Sequence, residues 1–195
     1  MQGFVRTRTG VRSAGAPGEF RLISSLLGDI IELLGGETEP GDDPLARLEA
    51  ELAPAAQPTD DPAVARLLPD MSEDPDQAEE LRALTESTIR QAKVAHCALV
   101  RDQLAAAGEV LTIAEADIPA WLAALNDLRL VLASRLDIID TEDADRVTRR
   151  AHAYAAGERA EDGDEVTREL TVLYAMMGWW QDSLLQAVRF SRPAG

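Results

Sequence analysis

The sequence holds one cysteine (Cys97), one lysine (Lys93) and few aromatic side chains, 4% of 195 residues. A single cysteine forbids an internal disulfide and any cysteine-rich zinc site. So few aromatic residues leave Leu, Ile, Val and Ala to build the core. No apolar run approaches the ~20 residues that a bilayer crossing needs. A signal peptide would carry an apolar stretch where Arg6 and Arg8 follow Phe4 and Val5 at once. Catalytic and phosphate-binding motifs are missing as well: no glycine-rich phosphate loop, G-x-G-x-x-G, G-x-S-x-G or H-E-x-x-H occurs. His96 and His152 stand far apart, and neither has an acidic or cysteine neighbour at ligand spacing. These absences point away from an enzyme and away from any metal or cofactor.

Positive charge is also scarce: 19 basic side chains stand against 35 acidic ones, a formal net charge of −16. That balance argues against holding nucleic acid by blanket phosphate neutralisation. The charge is unevenly spread. Residues 1–36 carry four arginines and three acids, residues 37–80 carry 14 acids against Arg47 and Arg66, and residues 81–195 carry 13 basic and 18 acidic groups. Seven of the ten prolines fall between Pro40 and Pro75. Proline this dense excludes a long helix, so 37–80 reads as an acidic connector with one or two short helices, such as Asp43 to Leu52, inside a single domain spanning 1–195. The connector is either a solubilising linker, or a mimic of nucleic-acid charge or lure for a basic partner.

Abundant Ala, Leu, Glu and Arg favour helices. Gly3 to Arg12 alternates apolar and basic residues around Thr9-Gly10, which suggests a small hairpin. Pro17 opens a helix to about Leu34, with Phe20, Ile23, Leu26, Leu27, Ile30, Leu33 and Leu34 at helical spacing and Gly35-Gly36 as its stop. A long helix is expected from about Asp76 to Ala107, with Leu81, Leu84, Thr88, Ala92, Ala95 and Leu99 on its core face. Another runs from about Ala114 to Leu136, where Trp121, Leu125, Leu128 and Leu132 line up. Thr141 to Ala156 forms a shorter helix closed by Gly157, Glu158 to Gly163 an exposed loop, and Asp164 starts the last helix. The fold class is mainly α, a helical bundle with a small N-terminal β-hairpin.

Four features carry candidate chemistry. On the expected wheel Cys97 lies opposite Leu99, on the polar side, with Lys93 and Arg101 one turn away on either side. Two cations there favour the thiolate, so Cys97 is a redox candidate, or else a passive surface cysteine. Arg146, Arg149, Arg150 and Arg159 with His152 form the densest basic patch. They can contact phosphates, but Glu142, Asp143, Asp145 and Glu158 interleave with them, and salt bridging accounts for the pattern as well. Arg6, Arg8 and Arg12 would line one side of an extended strand, as a DNA-contacting arm or as charge that blunts an edge. In the last helix Trp180 sits at the margin of the core stripe while Trp179 faces away. That orientation suits a contact with another subunit, with the N-terminal helix or with a partner protein; burial against the rest of the same bundle is the equal alternative.

The stretches DPAVARLLPDMSED, ELRALTESTIRQAKVAHCALVRDQL, AWLAALNDLRLVLASRLDI and LYAMMGWWQDSLLQAV together resemble an actinobacterial family catalogued as a domain of unknown function. Its members are typically encoded beside the ClpS protease adaptor, and it includes a transcriptional regulator of oxidative stress. Trp121, Leu125, Asn126, Asp127, Leu128, Arg129 and Arg135 match the family's signature block. Physically, Trp121, Leu125 and Leu128 read as core, with Asn126, Asp127 and Arg129 as polar groups beside it. A buried hydrogen bond or ion pair that holds two helices in register is the preferred account of them, ahead of a ligand site. The resemblance implies a cytoplasmic, non-enzymatic regulator of the oxidative-stress response. It would work through a protein partner such as a sigma factor and touch DNA only with that partner's help. An adaptor or scaffold in ClpS-linked proteolysis is the alternative.

Overall fold

The computed structural model describes residues 1–36, 61–157 and 165–189. The expected helix over Asp43 to Leu52, the loop over Glu158 to Gly163 and the side chain of Arg159 lie outside them. Two strands come first, β1 (Val5–Arg6) and β2 (Gly10–Ala14), and then helix α1 (Pro17–Leu33). Helices α2 (Pro62–Leu67) and α3 (Pro75–Ala106) precede strand β3 (Val110–Ala114) and a single 3-10 turn (Glu115–Asp117). Helices α4 (Ile118–Arg135), α5 (Thr141–Ala155) and α6 (Glu165–Arg189) complete the bundle.

Local chemistry sets most of these boundaries. Pro17 occupies the first turn of α1, where its missing N–H costs nothing. Gly35 and Gly36 end that helix with positive φ of 95° and 78°, and the Gly36 N–H returns to the Ile31 carbonyl at 2.7 Å. Asp61 and Asp74 cap α2 and α3 by accepting first-turn amides from Ala63 and from Asp76 and Gln77. Asp140 does the same for α5.

The N-terminal hairpin forms as expected, but it belongs to a three-stranded antiparallel sheet in the order β1-β2-β3. The third strand lies between two helices where only a connection was expected. Its alternation of exposed Val110, Thr112 and Ala114 with buried Leu111 and Ile113 is a period-two pattern five residues long. The sheet's inner face meets the bundle at an aromatic cluster. Phe4 stacks on Trp180 at 4.8 Å, and Trp121 meets the same ring edge-on at 5.8 Å. Each indole finds a hydrogen-bond acceptor, Ser13 Oγ for Trp180 at 3.2 Å and Gln103 Oε1 for Trp121 at 2.8 Å.

One expectation needs correction. The core face of α3 is not the stripe through Leu84 and Leu99, which are 76% and 36% exposed. The buried residues are Ala78, Val94, Cys97, Val100 and Leu104. Helix α1 packs on this side, tied by Ser24 Oγ to the Arg101 carbonyl and by Arg90 to the Leu34 carbonyl, both at 3.0 Å. Two stripes of similar apolar content run along α3, and only the partner chosen by α1 and α4 decides between them. Of the connector, residues 61–80 are described: Ala63, Val64 and Leu67 of α2 are buried, α2 lies on α4, and Arg135 grips Asp61 with both nitrogens, at 2.7 and 3.1 Å.

Candidate functional site

The polar groups with the strongest environments lie between helices. Asp127 on α4 is 1% exposed. Its Oδ1 accepts from Lys93 Nζ on α3 at 2.6 Å, while Oδ2 is buried with no hydrogen-bond partner. Burial pushes the Asp127 carboxyl up from its ordinary value, and the Lys93 ammonium and the charge of His96 pull the other way. Cys97 sits one turn beyond Lys93 and is fully buried. Burial, reinforced by the negative Asp127, pushes its thiol up to about 12. The expectation of an exposed, thiolate-prone Cys97 is thereby corrected. Cys97 lies on the inward face of α3, and the cation at i−4 is spent on Asp127 rather than on sulfur.

Two residues along α4, on the opposite side of the helix, Arg129 makes the matching contact with α6. Its Nη1 donates to Gln181 Oε1 at 2.7 Å, and Gln181 Nε2 donates to the Leu122 carbonyl at 3.3 Å. The guanidinium lies over the Tyr174 ring, 5.7 Å from its centroid. Tyr174, Gly178 and Gln181 are spaced by four and three residues, so they present one face of α6 to this side chain. Asp127 and Arg129 therefore serve different neighbours. Asp127 and Arg129 are interhelical ties, with Lys93 and Gln181 as the partners that sequence reasoning missed. The sole lysine in a chain otherwise reliant on arginine was the available signal for Lys93. Asn126 faces solvent and Trp121 is core.

The basic candidates do not converge. The hairpin register pairs Val5 with Arg12 and Arg6 with Val11, so Arg6 and Arg12 lie on opposite faces of the sheet rather than in one line. Arg6 is bound to Glu115 at 2.5 Å, and Arg8 sits exposed in the turn. On α5, Arg146 pairs with Asp143, Arg149 and His152 face solvent, and Arg150 is half-buried. Trp179 is 50% exposed, as its wheel position implied, and a Cβ built on Gly3 would stand 3.6 Å from its ring. Among the described residues no three His, Cys, Asp or Glu side chains come together as a metal site. No helix among them is long and apolar enough to cross a membrane.

A helical bundle closed at one end by a three-stranded sheet, its helices tied by a buried Lys–Asp pair and an Arg–Gln contact, defines a scaffold of mainly structural polar groups. The chain belongs to the family described as a domain of unknown function, DUF2017, which it matches over residues 1–188. It is 36% identical over 151 residues to the oxidative stress regulator AosR of Mycobacterium tuberculosis (strain H37Rv), covering 69% of each chain. A putative oxidative stress regulator AosR of Mycobacterium leprae is 35% identical over 142 residues, covering 65% of each. No solved structure matches it.

Proposed function

We propose that the protein is a non-enzymatic cytoplasmic regulator of the oxidative-stress response that acts through a protein partner, such as a sigma factor or another part of the transcription machinery. The observation that carries the reading is the similarity to two mycobacterial proteins named as oxidative stress regulators. Charge supports the emphasis on protein rather than DNA. A chain at −16 is steered toward basic surfaces and away from phosphates, and among the described residues Arg6, Arg135 and Arg146 are paired with carboxylates.

The reading also constrains mechanism. One cysteine excludes an internal disulfide, and a buried thiol with its pKa pushed up to about 12 is a poor nucleophile toward peroxide. The oxidant signal then enters through the partner, or through an opening of the α3–α4 contact that exposes Cys97. The test is affinity capture from cells before and after peroxide, with the wild-type chain and Cys97→Ser. A component of the transcription machinery that co-purifies in a peroxide-dependent way is the expected result. Loss of that dependence in Cys97→Ser places the sensor in this chain, and its persistence places it in the partner. Capture of protease components instead, unaffected by peroxide, overturns the reading.

A further inference from the structure

The two edges of the sheet are treated differently. At the β1 edge, the Phe4 N–H points away from β2 and donates to Ser183 Oγ of α6 at 3.1 Å, so the last helix closes that side. At the β3 edge no such cover exists among the described residues. Bonds between Gly15 N–H and the Glu109 carbonyl, and between Glu115 N–H and the Thr9 carbonyl, fix which residues of β3 face β2. In an antiparallel ladder these alternate. Glu109, Leu111, Ile113 and Glu115 therefore turn their backbone toward β2, and the N–H groups of Val110, Thr112 and Ala114 point outward. The side chains of these three residues are exposed as well, Val110 by 55%.

Edge strands are usually blunted by lysine, proline, a bulge or a covering element. Val110–Ala114 contains none of these. The strand is rich in β-branched residues, it is five residues long, and its register with β2 is unbroken. Acidic side chains mark its ends, with Glu109 at one and Glu115, shared with Arg6, at the other. This charge discriminates between occupants. A second copy of the chain, paired antiparallel about Thr112, sets Glu109 of each copy opposite Glu115 of the other, and like charges in directly opposed positions destabilise a ladder. A strand with basic ends meets attraction at the same places.

We propose that the free edge of β3 is a docking site for an extended segment of a partner protein, β-branched at alternate positions and basic at its ends, which adds to the sheet as a fourth strand. Backbone hydrogen bonds from Val110, Thr112 and Ala114 supply the affinity, and the flanking charges supply orientation and selectivity. The site stands on the geometry of the sheet and does not depend on the oxidative-stress reading.

The experiment is amide hydrogen exchange followed by NMR on the full chain, with the capped peptide Lys-Thr-Val-Thr-Val-Thr-Lys at millimolar concentration. The expected result is slowing of exchange at Val110, Thr112 and Ala114 by at least about tenfold, with Leu111 and Ile113, already bonded to β2, unchanged. The same peptide with glutamate at both ends gives no slowing. Thr112→Pro removes an N–H that faces solvent, which an edge strand tolerates, and it abolishes the effect. Should that variant fail to fold, Val110→Lys places a repelling charge on an exposed position and serves the same purpose. Absence of slowing with the lysine-ended peptide, equal slowing with the glutamate-ended one, or shifts confined to another surface overturns the proposal. Protection that grows with protein concentration in the absence of peptide overturns it in favour of a second copy.

Discussion

The only lysine of the chain, Lys93, holds the buried Asp127 carboxylate at 2.6 Å across the contact between α3 and α4. The two ends of this pair are not equivalent. Lys93 retains 21% side-chain exposure and Asp127 only 2%, so an ammonium deprived of its partner can swing to water, whereas a stranded carboxylate cannot. Lys93→Met is therefore the more damaging replacement, at about 3 kcal/mol, and Asp127→Leu is milder. The double variant Lys93→Met/Asp127→Leu returns to within about 1 kcal/mol of wild type, because a well-packed apolar pair can replace a buried ion pair. Without Lys93, the raised carboxyl of Asp127 rises further. A group whose folded-state pKa is raised stabilises at low pH and loses that contribution as pH climbs, so Lys93→Met recovers relative stability on acidification. Urea titrations of the three variants at two pH values check this, and equal costs for the two single replacements would refute it.

Cys97 follows from the same contact. A thiol pushed up to about 12 and sealed in the core reacts only when α3 lifts away. Iodoacetamide labelling at neutral pH is expected to run at least ~100-fold slower in the native protein than in the urea-unfolded chain, tracking the opening equilibrium. Cys97→Ser buries a hydroxyl in place of a thiol and costs about 1–3 kcal/mol. Native-state labelling as fast as that of the unfolded chain removes the buried-thiol account.

At the other end of α4, Arg135 holds Asp61 below the ordinary carboxylate range of about 3.8, helped by the Ala63 amide. A lowered folded-state pKa stabilises above the unfolded value and is lost as pH falls through the folded one. The pair is partly open to solvent, at 25% and 45% exposure, which limits its worth to under about 1 kcal/mol. Asp61→Asn keeps an oxygen to cap α2 but discards the charge. The stability gap between wild type and Asp61→Asn is expected at pH 7 and should close below the folded-state pKa. A gap that widens on acidification contradicts the assignment.

How far the sequence disclosed this architecture depended on whether local or partner-dependent forces decided each element. Pro17, Gly35-Gly36 and Gly157 punctuate helices by their own backbone preferences, and those boundaries are legible. The face that α3 buries is not. Ala78, Val94, Cys97 and Val100 compete with Leu84, Ala92, Ala95 and Leu99 on nearly equal apolar terms, and the choice is made by α1 and by the Lys93–Asp127 pair. The same choice buries Cys97. Strand β3 was missed because five residues between two strong helices give a weak period-two signal, and its partner β2 lies about a hundred residues earlier. The sequence places Asp127 and Arg129 beside the core but does not assign them to separate neighbours, since Lys93 and Gln181 lie far away in the chain.

Two glycines separate permissive from obligatory use of that residue. Gly178 sits inside α6, where glycine costs about 1 kcal/mol relative to alanine. A Cβ built there stands 3.7 Å from Arg129 Nε and 3.8 Å from the other guanidinium atoms that it meets, which is ordinary contact. Gly178→Ala is therefore expected to stabilise, by up to about 1 kcal/mol, and to leave the Arg129–Gln181 bond in place. Gly10 is different. Its Cβ would fall 1.9 Å from the Ile113 carbonyl oxygen, against backbone in the β2–β3 ladder that cannot step aside. Gly10→Ala must part the two strands where they meet, and the cost is expected to exceed ~2 kcal/mol. Urea midpoints of the two variants should move in opposite directions. Destabilisation by Gly178→Ala would mean that the guanidinium rests on α6 more tightly than these distances allow, and that the Arg129 tie, rather than helix propensity, governs the middle of the last helix.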